Sequence, residues 1–132
     1  MITEDYVSFE TAKLLKEKGF DCACKVWYAE YTSVWGGDPS GDRKYINIQF
    51  DDKNMFDDSY KFLCYAPTLQ MAMKWLREVY GLFIRITEDM TGNVFEWSVY
   101  QKNYGCKAST YVEDSYEAAC ETAIKYCLEN LI

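Results

Sequence analysis

The chain has 132 residues, enough for one hydrophobic core and too few for two independent ones, so the expectation is a single domain over 1-132. Apolar residues make up 49% and aromatics 17%, which excludes a disordered chain, while 21 acidic against 14 basic residues give a formal charge of -7 that repels nucleic acid and anionic lipid at long range. Histidine is absent, which removes the commonest general base, the commonest metal ligand and every Ser-His or Cys-His nucleophile pair.

In chain order, Ser8 precedes an amphipathic stretch from Phe9 to Lys18 with an early acid and late lysines, and Gly19 follows at the usual C′ position. That pattern predicts a capped helix with Phe20 folding back on its last turn. Lys25 to Tyr31 is rich in residues that favour strands, and Tyr45 to Phe50 alternates strictly with Ile46, Ile48 and Phe50 on one face. The two read as a hairpin around the turn-rich Gly36 to Asp42 loop, with a polar Asp51 to Asn54 stretch after them. Pro67 and Thr68 open a second helix that Gly81 closes. Leu82 to Ile86 and Val94 to Tyr100 alternate with period two across Thr91-Gly92-Asn93, a second hairpin that a strand near Ser109 to Val112 extends to a meander. Asp114, three residues before Glu117, resembles a capping box for a last helix. That helix aligns Ala119, Cys120, Ala123, Ile124, Cys127, Leu128 and Leu131 in one stripe. The expected fold is α+β: an antiparallel sheet of four to five strands with three helices, in the order α-β-β-α-β-β(-β)-α. A faint echo between the two halves is too weak to read as a repeat.

No apolar run approaches the roughly 20 residues that span a bilayer. The opening Met1-Ile2-Thr3-Glu4-Asp5 lacks the basic start and apolar stretch of a secretory signal, so a cytoplasmic location without membrane contact is expected. The six cysteines are then expected as free thiols. Cys22 and Cys24, one residue apart, face the same side if extended, where Cys64 or Cys106 could join them around a metal; the expectation is no metal and no cofactor, because knuckles and redox motifs need a wider spacing. Cys120 and Cys127 read as small core residues. Gly36 and Gly41 have the separation of phosphate-loop glycines, but Asp42-Arg43 stands where such a loop needs Lys and Ser or Thr. Asp51, Asp52, Asp57 and Asp58 lack the glycine and closing glutamate of a calcium loop. Lys13, Lys16 and Lys18 read as a solvated helix face, so no nucleic-acid site is expected.

The second helix carries the sharpest feature. Leu69, Ala72, Met73, Leu76 and Tyr80 form one stripe, while Met71 and Trp75 form another on a flank that a one-faced helix leaves polar. Either a further element covers that flank, or Met71 and Trp75 are an exposed patch of the kind that anchors protein partners.

The stretch from Ala66 to Glu78, with its Pro67-Thr68 start and Trp75-Leu76-Arg77-Glu78 segment, resembles small uncharacterised proteins encoded in gut bacterial genomes and prophages. So do the opening Thr3 to Ala12 and the ending Glu117-Ala118-Ala119 through Tyr126-Cys127-Leu128-Glu129. The resemblance implies an accessory protein of a mobile element in a bacterial cytoplasm and transfers no catalytic residue.

The function expected from the whole is non-enzymatic: binding of an unidentified protein partner, with Met71 and Trp75 as anchors. The alternative is a small-molecule-binding domain whose pocket is lined by Trp27, Tyr28, Trp97 and Tyr100. A homodimer through the second helix or an open strand edge is compatible with either.

Overall fold

A computed structural model describes residues 2–33, 43–50 and 60–132. The expected Gly36 to Asp42 loop, its phosphate-loop reading, the Asp51 to Asn54 stretch and the calcium reading at Asp51, Asp52, Asp57 and Asp58 lie outside the described residues.

The first helix, α1 (Phe9–Glu17), starts where the Ser8 hydroxyl accepts from the Thr11 amide and ends at Lys18, before Gly19 turns the chain with φ 99°. The Phe20 amide then donates to the Leu15 carbonyl, which folds the Phe20 ring back into the core as its sequence position predicts. After an irregular segment come β1 (Trp27–Ser33), β2 (Arg43–Gln49) and β3 (Tyr60–Tyr65). Both β2 and β3 pair antiparallel with β1, giving the sheet order β2-β1-β3. Next are α2 (Leu69–Tyr80), capped by Thr68 and closed by Gly81 in the left-handed conformation, and the meander β4 (Leu82–Glu88), β5 (Phe95–Gln101) and β6 (Gly105–Glu113). The chain ends on α3 (Tyr116–Asn130).

The molecule is therefore α+β, with three helices and two three-stranded antiparallel sheets among the described residues. The structure departs from the sequence expectation at two places. The strands do not form one sheet of four or five, because β3, which the sequence pattern does not predict, pairs with β1 on the side opposite β2 and completes a separate sheet before α2 begins. Its run Tyr60-Lys61-Phe62-Leu63-Cys64-Tyr65 is hard to read because a bulge places Leu63 outside the register, between the pairs Tyr28 with Cys64 and Ala29 with Phe62, and so breaks the period of two. The cap of α3 is Ser115, whose hydroxyl accepts from the Ala118 amide, one residue beyond the expected Asp114. The sheet orders also differ, with β1 central in the first and a plain meander in the second.

The helices form the layer that joins the sheets. The third helix packs against α1, α2 and all three strands of the second sheet, while α1 also packs against β3 and α2 against β4. Its stripe is the centre of the core: Ala119, Cys120, Ala123, Ile124, Cys127 and Leu128 are all fully buried. Leu82, Trp97 and Val99 meet that core from one face of the second sheet, with Ile84 and Ile86 partly buried beside them. The start of the chain is tied down by the Val7 amide donating to the Pro67 carbonyl and the Leu69 amide donating to the Asp5 carbonyl. Glu121 of α3 accepts from the Ser8 amide and hydroxyl and from the fully buried Thr11 hydroxyl, which holds α1 against α3.

Candidate interaction surface

The structure separates the two anchors that the α2 pattern suggests. Trp75 is only 9% exposed, and its ring meets Phe20 edge-on at 5.5 Å and Tyr80 at 5.2 Å. The Tyr80 hydroxyl in turn donates to the Lys18 carbonyl, so the end of α1 covers this flank of α2. Met71 is 45% exposed and lines a shallow depression of about 250 Å³ with Tyr6, Cys24 and Pro67. A buried ring offers a partner little surface, whereas Met71 remains accessible.

The four aromatics of the expected pocket do not converge. Trp27 and Tyr28 are neighbours on β1 and so point to opposite faces: Trp27 is buried against Phe62, and the Tyr28 hydroxyl donates to the Val7 carbonyl at 2.6 Å. Burial pushes the Tyr28 phenol up to about 12. Trp97 lies in the core against Tyr126, where its indole nitrogen finds no hydrogen-bond partner among the described residues. Tyr100 sits on the other face of β5 beneath Arg85.

The thiols disperse as well. Cys22 and Cys24 stay close, with the Cys24 thiol 3.4 Å from the Cys22 carbonyl, but Cys64 is buried under α1 and Cys106 is exposed on β6. Among the described residues no group of three His, Cys, Asp or Glu side chains is placed to hold a metal ion. Burial raises Cys24 and Cys64 above the ordinary thiol value, Cys120 to about 11 and Cys127 to about 12, which keeps all four protonated at neutral pH. None of them is prepared as a nucleophile.

What the fold does assemble is a surface on the second sheet, on the face turned away from the helices. Alternation on β4 sends Leu82, Ile84 and Ile86 inward and leaves Phe83 and Arg85 exposed. Register places Tyr100 opposite Phe83 and Cys106 opposite Tyr100, so these three form one row across the sheet. The Arg85 guanidinium lies 4.9 Å from the centre of the Tyr100 ring, a stacked pair that holds a positive charge over an aromatic face. At the same end the β5–β6 turn, with Asn103 and Gly105 at positive φ, presents Tyr104 at 73% exposure with the Lys107 ammonium 5.3 Å from its ring. Lys102 starts this turn, its amide donating to the Gly81 carbonyl.

Among the described residues, three cations and three exposed or half-exposed rings thus gather at one end of this face in an otherwise acidic chain, while Glu96 on the same face lies at the other end of β5. The sequence holds a signal for this in its acids: the runs 79–87 and 97–112 contain no Asp or Glu. Each run alone looks like an ordinary strand. Only the β4–β5–β6 register makes them one patch.

The surface offers hydrogen-bond donors, positive charge and ring faces, the groups that hold a partner. Fold and surface together define an α+β chain with an exposed cationic and aromatic sheet face. Compared with protein-family models, curated proteins and solved structures, the chain matches none. No helix among the described residues is long and apolar enough to cross a membrane.

Proposed function

We propose that this chain is a non-enzymatic accessory protein that works by binding another protein, and that it does so through the outer face of β4–β6. The observation that carries the reading is the row of exposed Phe83, half-buried Tyr100 and exposed Cys106, with exposed Arg85 stacked on Tyr100, at the acid-free end of the sheet. Arginine and tyrosine are favoured anchors because they bring contact area and directed donors to an interface, and the stack on Tyr100 restricts the otherwise flexible Arg85 side chain before a partner arrives. The partner that fits is an acidic protein surface, for which the net charge of -7 makes the positive end of this sheet the preferred point of approach. The resemblance of the three sequence blocks supports a setting in a bacterial mobile element, with the encounter in the host cytoplasm.

The test is affinity capture from a bacterial lysate with three baits: wild type, Arg85→Glu and Met71→Ser, each checked for folding by circular dichroism. Capture is expected to survive Met71→Ser, to fail with Arg85→Glu, and to weaken as salt rises from about 0.05 to about 0.5 M. Loss with Met71→Ser alone would move the site to the start of α2. A captured species that nuclease removes would replace the protein partner with a single-stranded nucleic acid stacking on the same rings.

A further inference from the structure

A second site lies on the opposite side of the helical layer, between the end of α1 and β3. The cleft there has a volume of about 450 Å³, within the roughly 300–1,000 Å³ typical of small-molecule pockets. Phe20, Phe62 and Tyr65 supply rings to its wall, and Cys64 and Ala12 are part of its apolar lining. Among the described residues its charged groups are one ammonium, Lys16, and one carboxylate, Asp21.

Local structure explains how both charges come to the same cleft. Lys16 projects from the last turn of α1, and its ammonium donates at 2.7 Å to the carbonyl of Leu63, the residue that the β3 bulge leaves outside the register. It also stands 6.0 Å from the centre of the Phe62 ring and lines an adjoining cleft of about 270 Å³. A lysine ammonium has three donors, so the bond to Leu63 fixes its position and leaves donors for a ligand. Gly19 then reverses the chain, Phe20 turns inward, and Asp21 follows at the cleft.

We infer that this cleft binds a free α-amino acid with an aromatic side chain. Its carboxylate pairs with Lys16, its ammonium with Asp21, and its ring packs among Phe20, Phe62 and Tyr65. Charge balance selects the zwitterion: a simple aromatic acid would meet Asp21 with like charge, and a simple aromatic amine would meet Lys16 in the same way. Aromatic walls favour a ring over an alkyl chain of the same size through edge and offset contacts. This site is separate from the sheet face proposed above, and either proposal can fail without the other.

Titration of the isotope-labelled chain with L-phenylalanine, 3-phenylpropanoate and phenethylamine, followed by NMR, tests the inference. L-Phenylalanine is expected to shift amides in 16–21 and 62–65 with a dissociation constant of about 0.1–1 mM, and each single-charge analogue to bind about tenfold more weakly. Lys16→Gln should weaken phenylalanine and phenylpropanoate but not phenethylamine, while Asp21→Asn should weaken phenylalanine and phenethylamine but not phenylpropanoate. Equal binding of phenylalanine and phenylpropanoate would overturn the zwitterion, and the absence of shifts up to about 10 mM phenylalanine would overturn the site. The wild-type comparison of the three ligands decides the question even if a variant fails to fold.

Discussion

Trp75 illustrates how position and surroundings compete at a single residue. Its place on α2, one step outside the main apolar stripe, suits an exposed anchor, but the return of the chain at Gly19 brings Phe20 onto the same flank and encloses the indole between two rings. A tryptophan so enclosed contributes chiefly to stability. Trp75→Ser is expected to destabilise the fold by about 3–5 kcal/mol, since it removes a large buried ring and leaves a cavity with a hydroxyl in it. Urea unfolding followed by circular dichroism measures this, and a loss below about 1 kcal/mol would contradict the burial. Met71→Ser at its 45% exposed position should change the same midpoint little, by about 0.5 kcal/mol or less.

At the scale of elements, the caps decide where helices begin, and α3 offers a direct test. Asp114 and Ser115 are adjacent residues of the type that caps helices, and the three-residue spacing to Glu117 favours Asp114 on paper. The structure uses Ser115, whose hydroxyl takes the Ala118 amide at 3.0 Å. Ser115→Ala should therefore cost about 1 kcal/mol and Asp114→Ala distinctly less, read from thermal or urea unfolding; the reverse order would return the cap to Asp114. Much of the local structure is legible in this way, because the signals at Ser8, Thr68, Gly19 and Gly81 act within one or two turns of chain. The strand β3 is not, since its bulge spoils the alternation, nor is the division into two sheets, which depends on β3 choosing the free side of β1 over a partner beyond α2. Ile46 and Phe50, which the alternation puts on one face with Ile48, are exposed, and β2, which carries Ile46, is an edge strand among the described residues. The candidate surface was half legible: the acid-free runs are visible in the sequence, but their union needs the register of three strands.

At the scale of the whole molecule, burial raises the pKa values of weakly acidic groups on three different elements, α3, β1 and β3, and together they set how the fold responds to alkali. Burial lifts Cys120 from 9.0 to about 11, Cys127 from 9.0 to about 12 and Tyr28 from 10.0 to about 12, and raises Cys64 as well. Each group is neutral when protonated, so the fold favours the protonated form. The stability linked to these groups is fully present below their unfolded values near 9 and 10, and is lost as pH rises through the folded values near 11 and 12. The urea midpoint should thus hold steady from about pH 7 to about pH 8.5 and fall progressively above about pH 9. Lysine deprotonation and the growing negative charge also weaken the fold at high pH, so the slope alone does not identify the thiols. A Cys120→Ala/Cys127→Ala variant separates the contributions. It starts from a lower midpoint because two buried sulfurs are gone, but its decline between about pH 9 and pH 11 should be shallower than that of wild type. Parallel slopes would show that the two thiols ionise alike in the folded and unfolded chain, which would overturn the upward shift that burial gives them.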